Sequence, residues 1–334
     1  MMDGSEPAAL AAIRAARGFC VVGNLCVDLV IREVPALPAW GQEVAGRGQA
    51  IAPGGQAANL ARALARLGAP VAVAGVTGDD GFGRAIREDL AAHGVDVSAV
   101  VTLPGPTPLT VGIVRPDGER AFVSEFGCAE GFDAGLLDRL WPAISGADVI
   151  CLVGQFNLPA LSPGAAQAAL ARARAAGAVT VVDTGWDPGG WPPATAAAVR
   201  QQFGAADIVL PNRDEAAALT GEAGGVEAAA ALLAAGPELV VVKLGEEGSL
   251  ARFGDQAAFA APFPVQAADA VGAGDVFDGG FLHALRQGLP VAEALVFGNA
   301  AAALYVERVR DRFPATEEVL SRVAARARGS GESR

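Results

Sequence analysis

Six short apolar runs punctuate the chain, each bounded by Gly, Pro, Asn or Asp. They are FCVVGNL from Phe19, VAVAGVTG from Val71, ADVICLVG, GAVTVVD, ADIVLPN and PELVVVKLG. Runs that stay apolar without alternating suit strands buried on both faces, as in a parallel sheet. Between them the apolar spacing turns helical: Leu60, Leu64 and Leu67 recur in LARALARLG, which stops at Gly68, and an amphipathic stretch from Asp79 to His93 is closed by Gly94. His93 lies in the last turn of that helix, where the dipole favours a structural role. From Ala273 to about Ala327 the pattern predicts three helices, with a frayed GSGESR tail.

Two stretches break this rhythm. Residues 30–51 carry Pro35, Pro38, Gly41, Gly46 and Gly48 among short β-prone pieces, and TVGIVRPDGERAFVSEF alternates on both sides of Pro116-Asp117-Gly118-Glu119, a hairpin signal. Paired, they predict a small solvent-facing sheet. The expected architecture is α/β: a doubly wound, mostly parallel sheet flanked by helices, with a β lid from about 30–52 and 100–126. One domain spans 18–327, with 1–17 and 328–334 as terminal extensions.

Composition narrows the function. The 334 residues are 52% hydrophobic, enough for a large core, and 25 Lys and Arg against 37 Asp and Glu give a net charge of −12. That balance argues against nucleic-acid and anionic-membrane partners, and an anionic substrate would need a local positive field. Cys20, Cys26, Cys128 and Cys151 show no metal-binding spacing beside the two histidines, His93 and His283, and suit reduced buried thiols. Residues 1–18 carry Asp3, Glu6, Arg14 and Arg17 and do not resemble a secretory signal, and no run reaches the ~18 apolar residues of a membrane helix. A cytoplasmic protein without a membrane partner is expected.

The chemistry concentrates in Asp269-Ala270-Val271-Gly272-Ala273-Gly274-Asp275, a small-residue turn that leads into an apolar helix. Gly272 and Gly274 let backbone N–H groups approach a ligand at the positive end of a helix dipole, which suits a phosphate. Asp275, beside those donors, suits a base that takes a proton from a hydroxyl. The same residues also suit an ordinary Gly-rich helix start with an acidic first turn. A second glycine turn, Pro53-Gly54-Gly55-Gln56-Ala57-Ala58-Asn59, opens another helix.

The phrases GGQAANLARALARLG, VTGDDGFGRAIREDLAAHGVD, LPNRDEAAALTG, VVKLGEEG and DAVGAGDVFDGG, in this order between about Cys20 and Val323, resemble the ribokinase-like (PfkB) carbohydrate kinases. The resemblance implies phosphoryl transfer from ATP to a hydroxyl of a sugar or sugar-like alcohol, beneath a lid that closes on the substrate. It implies that Asp275 is the general base, charged and ready to accept a proton at neutral pH, and that the N–H groups of Gly272, Ala273, Gly274 and Asp275 form the anion hole. Asn212 and Glu215 match an N-x-x-E element that positions Mg²⁺ and phosphates partly through water; they also read as a capping box, and the two are compatible. Lys243 and Gly245 match a nucleotide-contacting turn, although Lys243 could equally be a solvated lysine beside Glu246 and Glu247. Asn299 matches a position beside the adenine, or is a polar residue on a packed helix.

By the same resemblance, Asp28, Gly54, Gly55 and Asn59 bind the acceptor, Asp28 and Asn59 by gripping vicinal hydroxyls. Asp269 matches a residue near a monovalent-cation site, for an ion such as K⁺, or else braces the turn. Departures from the family pattern bear on the substrate. Gln56 stands where true ribokinases tend to have Lys and Asn157 where they tend to have Glu, which counts against ribose. DTGWDPGGW from Asp183 lacks the Asn and Arg common in fructose and ketodeoxygluconate kinases, and Ala270 replaces the usual Thr. The named acceptor residues include no Arg or Lys, which disfavours a phosphorylated acceptor unless a lid residue such as Arg120 supplies the charge. A nucleoside kinase of the same family and a non-catalytic sugar-binding regulator remain as alternatives; a dehydrogenase does not, because no G-x-G-x-x-G follows the first strand. A homodimer through the lid is the oligomer this reading allows, although no apolar stripe is visible along the lid segments.

Overall fold

The computed structural model describes residues 7–266, 270–308 and 313–331. In chain order the elements are α1 (Ala8–Ala15), β1 (Phe19–Gly23), β2 (Cys26–Ile31), β3 (Gln49–Gly54), α2 (Gln56–Arg66), β4 (Val71–Gly78), α3 (Gly81–Ala92), β5 (Asp96–Leu103), β6 (Leu109–Val114) and β7 (Arg120–Glu125). There follow α4 (Ala134–Ile144), β8 (Val149–Val153), α5 (Pro163–Ala175), β9 (Val179–Asp183), α6 (Pro193–Phe203), β10 (Ile208–Val209), α7 (Arg213–Thr220), α8 (Gly225–Leu233) and β11 (Leu239–Lys243). The chain closes with β12 (Ser249–Phe253), β13 (Gln256–Ala260), α9 (Ala273–Arg286), α10 (Val291–Glu307) and α11 (Thr316–Gly331).

The main sheet runs β13-β12-β11-β10-β9-β8-β1-β4-β5, parallel from β11 to β5 and antiparallel at the β11, β12, β13 edge. Its central strands β1, β8, β9, β10 and β11 are almost wholly apolar because both faces are covered. Phe19, Val21, Cys151, Val181 and Val241 point into one core with α1, α2, α9 and α10, and Cys20, Val22, Leu152, Val182 and Val242 point into the other with α4 to α8. The four cysteines are buried and unpaired. Burial pushes the Cys20 thiol up to about 12 and the Cys128 thiol up to about 11, so both stay protonated. No helix among the described residues is long and apolar enough to cross a membrane.

The second sheet, in the order β3-β2-β6-β7, is the lid. Its bounds differ from the sequence expectation. The lid strands begin at Cys26 and end at Gly54 in the first segment and run from Leu109 to Glu125 in the second. Val100 to Leu103 belong to β5, whose Gly75↔Val100 and Val76↔Val101 pairing with β4 makes it the main sheet's edge. α1, which falls in the segment expected as a terminal extension, packs on the main core: its Leu10 and Ile13 are fully buried beneath α9. The β12–β13 hairpin, which ends the sheet at its other edge, had no signal strong enough to read. His93 caps α3 with its ring nitrogen Nδ1 2.8 Å from the Asp89 carbonyl.

Candidate active site

The expected residues converge at the carboxyl ends of the parallel strands, where open α/β sheets present their ligands. Gly272 caps α9 with φ +81, a left-handed conformation, and a Cβ there would lie 2.8 Å from Tyr305 Oη and 2.9 Å from Asn59 Nδ2. Both the turn and the crowding require glycine. The Ala273 N–H donates to Ala270 O at 3.2 Å, so in this conformation it is not an anion donor as the resemblance implies. The Gly274 and Asp275 N–H groups remain, in the first helical turn where no intrahelical acceptor exists. A Cβ on Gly274 would lie 3.5 Å from Lys243 Nζ, so a cation stands beside the turn.

Asp275 is 7% exposed, and its Oδ2 accepts from Asn59 Nδ2 at 2.9 Å. Burial and the negative charge of Asp183 push its carboxyl up to about 7, against the pull of the Asn59 hydrogen bond and Lys243. The carboxyl expected to be charged at neutral pH is instead held close to neutrality by its surroundings. Asn59 differs from expectation too. Its amide does not stand open for vicinal hydroxyls but joins Asp275 to Arg62, whose Nη2 donates to Asn59 Oδ1 at 3.0 Å.

Lys243 is not a solvated surface lysine. Its side chain is 11% exposed and its Nζ donates to Asp183 at 2.7 Å and Asp278 at 3.1 Å, while Glu247 pairs with Arg213. The two carboxylates hold Lys243 well above its ordinary range despite burial. Burial holds Asp278 well above the usual carboxyl range, and its Oδ1 is buried without a hydrogen-bond partner. Sequence reasoning missed both partners. Asp278 sits one helical turn after Asp275, an i, i+3 spacing that could have flagged it; Asp183 comes from a distant strand end and carried no such signal.

Asn212 and Glu215 form the capping box in full: Glu215 N–H donates to Asn212 Oδ1 and Asn212 N–H to Glu215 Oε2, each at 2.9 Å. Burial, with Asp183 nearby, pushes Glu215 up to about 8. Among the described residues no three His, Cys, Asp or Glu side chains gather into a metal cage. The Glu215 carboxyl, with Asp183 near it, is an oxygen donor of the kind Mg²⁺ meets through its waters. Gly245 opens the turn after β11 with φ +60. Asn299 Nδ2 donates to Ala260 O at 3.0 Å and Ala261 O at 3.3 Å, so its amide clamps the end of β13 to α10. Asp269 lies outside the described residues.

Of the residues expected on the acceptor side, Asp28 and Gly54 meet within the lid sheet, and Gln56 reaches toward the ends of β8 and β9. Asp28 lies on β2, half-buried, and its Oδ1 accepts from Cys26 Sγ at 3.5 Å. A Cβ on Gly54 would run into the Asp28 carboxylate, and Gly55, at φ +95, has no room for one beside Asn24 O. Gln56 N–H donates to Asn24 Oδ1 at 3.2 Å, and the Gln56 side-chain oxygen closes on Gly154 and Gly185 beyond β8 and β9. Asn157 ends the short turn Gln155–Asn157 after β8, where Phe156 packs edge-on against Trp191 at 4.9 Å. Asn24, Gly154 and Gly185 were not singled out from the sequence.

Comparison with known proteins agrees with this arrangement. The family model described as pfkB family carbohydrate kinase matches residues 18–318. The chain is 31% identical over 309 residues to ribokinase of Haemophilus influenzae, covering 90% of this chain and 96% of that one. It is 33% identical over 256 residues to fructoselysine 6-kinase of Shigella flexneri, covering 76% and 89%. Among solved structures, ribokinase of Arabidopsis thaliana complexed with ribose and ATP superposes with a TM-score of 0.79 at 25% identity, covering 92% and 99%. The chain therefore belongs to the pfkB family of carbohydrate kinases and is an ATP-dependent carbohydrate kinase.

Proposed function

We propose that the enzyme transfers the γ-phosphoryl group of ATP to a hydroxyl of a neutral sugar or sugar-like alcohol, with Asp275 as general base. The observation that carries this reading is the buried Asp275 carboxyl, poised at about 7 and held by Asn59 at the N-terminus of α9. The acceptor hydroxyl gives its proton to Asp275, its oxygen attacks the γ-phosphorus, and the bond to the bridging oxygen breaks to release ADP. The Gly274 and Asp275 N–H groups and the nearby Lys243 ammonium stabilise the charge on the phosphoryl oxygens. Glu215 would hold Mg²⁺ through water, and the ion would supply positive charge against the ATP phosphates.

Asp28, Gln56 and Asn157 line the acceptor side and set the substrate. None of them is cationic, which supports an unphosphorylated acceptor. The ribokinase and fructoselysine 6-kinase relatives act on different sugars, so identity alone does not choose between them. A coupled ADP-release assay over a panel of sugars and nucleosides tests the function. Asp275→Asn keeps the shape and removes the base, so turnover falls by about 10²- to 10⁴-fold with ATP binding retained. Near wild-type turnover in that variant would sink the assignment.

A homodimer through the lid belongs to the same reading. Strand register sets Ile51, Leu29, Val111 and Val123 side by side on one face of the lid, and Ile51 and Val123 are 56% and 65% exposed. An apolar row of this kind suits a second copy of the chain.

A further inference from the structure

Arg62 lies on α2, one turn beyond Asn59, and is only 6% exposed. Its Nη2 donates to Pro53 O at 2.7 Å and to Asn59 Oδ1 at 3.0 Å, while Nε donates to Ala58 O at 3.2 Å. Its Nη1 faces Asp89 of α3 at 3.4 Å, and the guanidinium lies 5.0 Å over the Phe313 ring. Pro53 belongs to the lid strand β3, just before the Gly54-Gly55 turn. One buried nitrogen thus touches both the lid and the residue that holds the base.

The chemistry of the two side chains makes this contact directional. A guanidinium has donors only, so Asn59 must turn its oxygen to Arg62 and its NH₂ to Asp275. An unconstrained amide could sit the other way round. Its oxygen would then face the carboxyl, an arrangement that only protonated Asp275 tolerates.

We propose that Arg62 is a positioning residue for Asp275: by holding Pro53 O and Asn59 Oδ1 with one nitrogen, it locks the Asn59 N–H toward the base and ties the seating of lid strand β3 to it. This rests on Asp275 being the general base. The other charged groups around Asp275 are Asp28 from the lid, Asp183 from the end of β9 and Lys243 from the end of β11, with Asp278 of α9 and Glu215 of α7 in the same cluster. Of all these groups, the Asn59 hydrogen bond is the one that Arg62 controls directly.

The test compares wild type, Arg62→Met, Arg62→Lys and Asp275→Asn, each with ¹³C-carboxyl-labelled aspartate. The Asp275→Asn spectrum identifies the Asp275 resonance, whose titration is followed by NMR. In Arg62→Met the midpoint rises by about one pH unit, which leaves roughly a tenth of the base ionised at pH 7 instead of half. With ATP and D-ribose or D-fructose as acceptor probes, turnover at pH 7 then falls by about fivefold while KM for ATP stays within about twofold. Arg62→Lys, whose single nitrogen cannot serve Pro53, Asn59 and Asp89 together, shifts the midpoint by less and recovers part of the turnover. An unmoved midpoint in Arg62→Met overturns the proposal, and the same reading of Arg62→Lys decides it should Arg62→Met fail to fold. The base assignment fails separately, through turnover retained in Asp275→Asn.

Discussion

Removing the Lys243 charge is the sharpest test of the buried cluster. Lys243→Met keeps most of the side-chain stem and deletes the ammonium that bridges Asp183 and Asp278, both buried. Stranding a buried charge by removing its partner costs about 3–5 kcal/mol. Both carboxyls lose their cation, but burial already holds Asp278 well above the usual carboxyl range, so it can shed its charge by taking up a proton. The expected loss is therefore near the lower end, about 3 kcal/mol. An unfolding entropy of roughly 2.1 cal/mol/K per residue comes to about 0.7 kcal/mol/K for this chain, so the loss lowers Tm by about 4 °C. The sign with pH follows from linkage. Without Lys243, whose charge pulls it down, the Asp278 carboxyl moves further above its unfolded range, so its contribution to stability is present at low pH and lost as pH rises through the folded value. Calorimetry and urea unfolding at pH 5.5 and pH 8 measure the deficit, which is larger at pH 8. Adding Asp183→Asn to Lys243→Met removes the stranded charge and recovers at least half of it. A deficit below about 1 kcal/mol at pH 8, or one that grows toward acid, refutes the reasoning.

Two further outcomes follow from the site and the lid. Because the Asp275 carboxyl is pushed up to about 7, protonation below that value removes the base, so kcat measured from pH 5.5 to 9 rises through a midpoint near 7. A profile flat down to pH 5.5 contradicts the assignment. On the lid, wild type is expected to sediment as a dimer of the 33.5 kDa chain and Ile51→Lys with Val123→Glu as a monomer. A monomeric wild type at micromolar concentration removes the lid interface.

Much of the site was legible because it is local. Gly272, Gly274 and Asp275 share one helix start, and the capping box of Asn212 and Glu215 spans four residues, so chain connectivity alone fixes their geometry. The partners of those residues were not legible. Asn59 reaches Asp275 across 216 positions, and Lys243 reaches Asp183 across 60, so topology decides whether each side chain binds substrate or braces a neighbour. Asn299 shows the same limit, since its amide is taken by the carbonyls of Ala260 and Ala261. The apolar row on the lid is invisible along the chain for a related reason: Ile51, Leu29, Val111 and Val123 come from four strands and align only once register is set.

The sequence by itself determined the α/β class, the doubly wound sheet and the glycine turn that opens α9, because uninterrupted apolar runs and local turn chemistry act over a few residues. Only the tertiary structure decided that Lys243 is locked between two carboxyl groups, that Asn59 donates to Asp275 and that burial brings Asp275 to about 7. Burial and long-range charge depend on which strand ends the fold brings together, and no window along the chain contains that information.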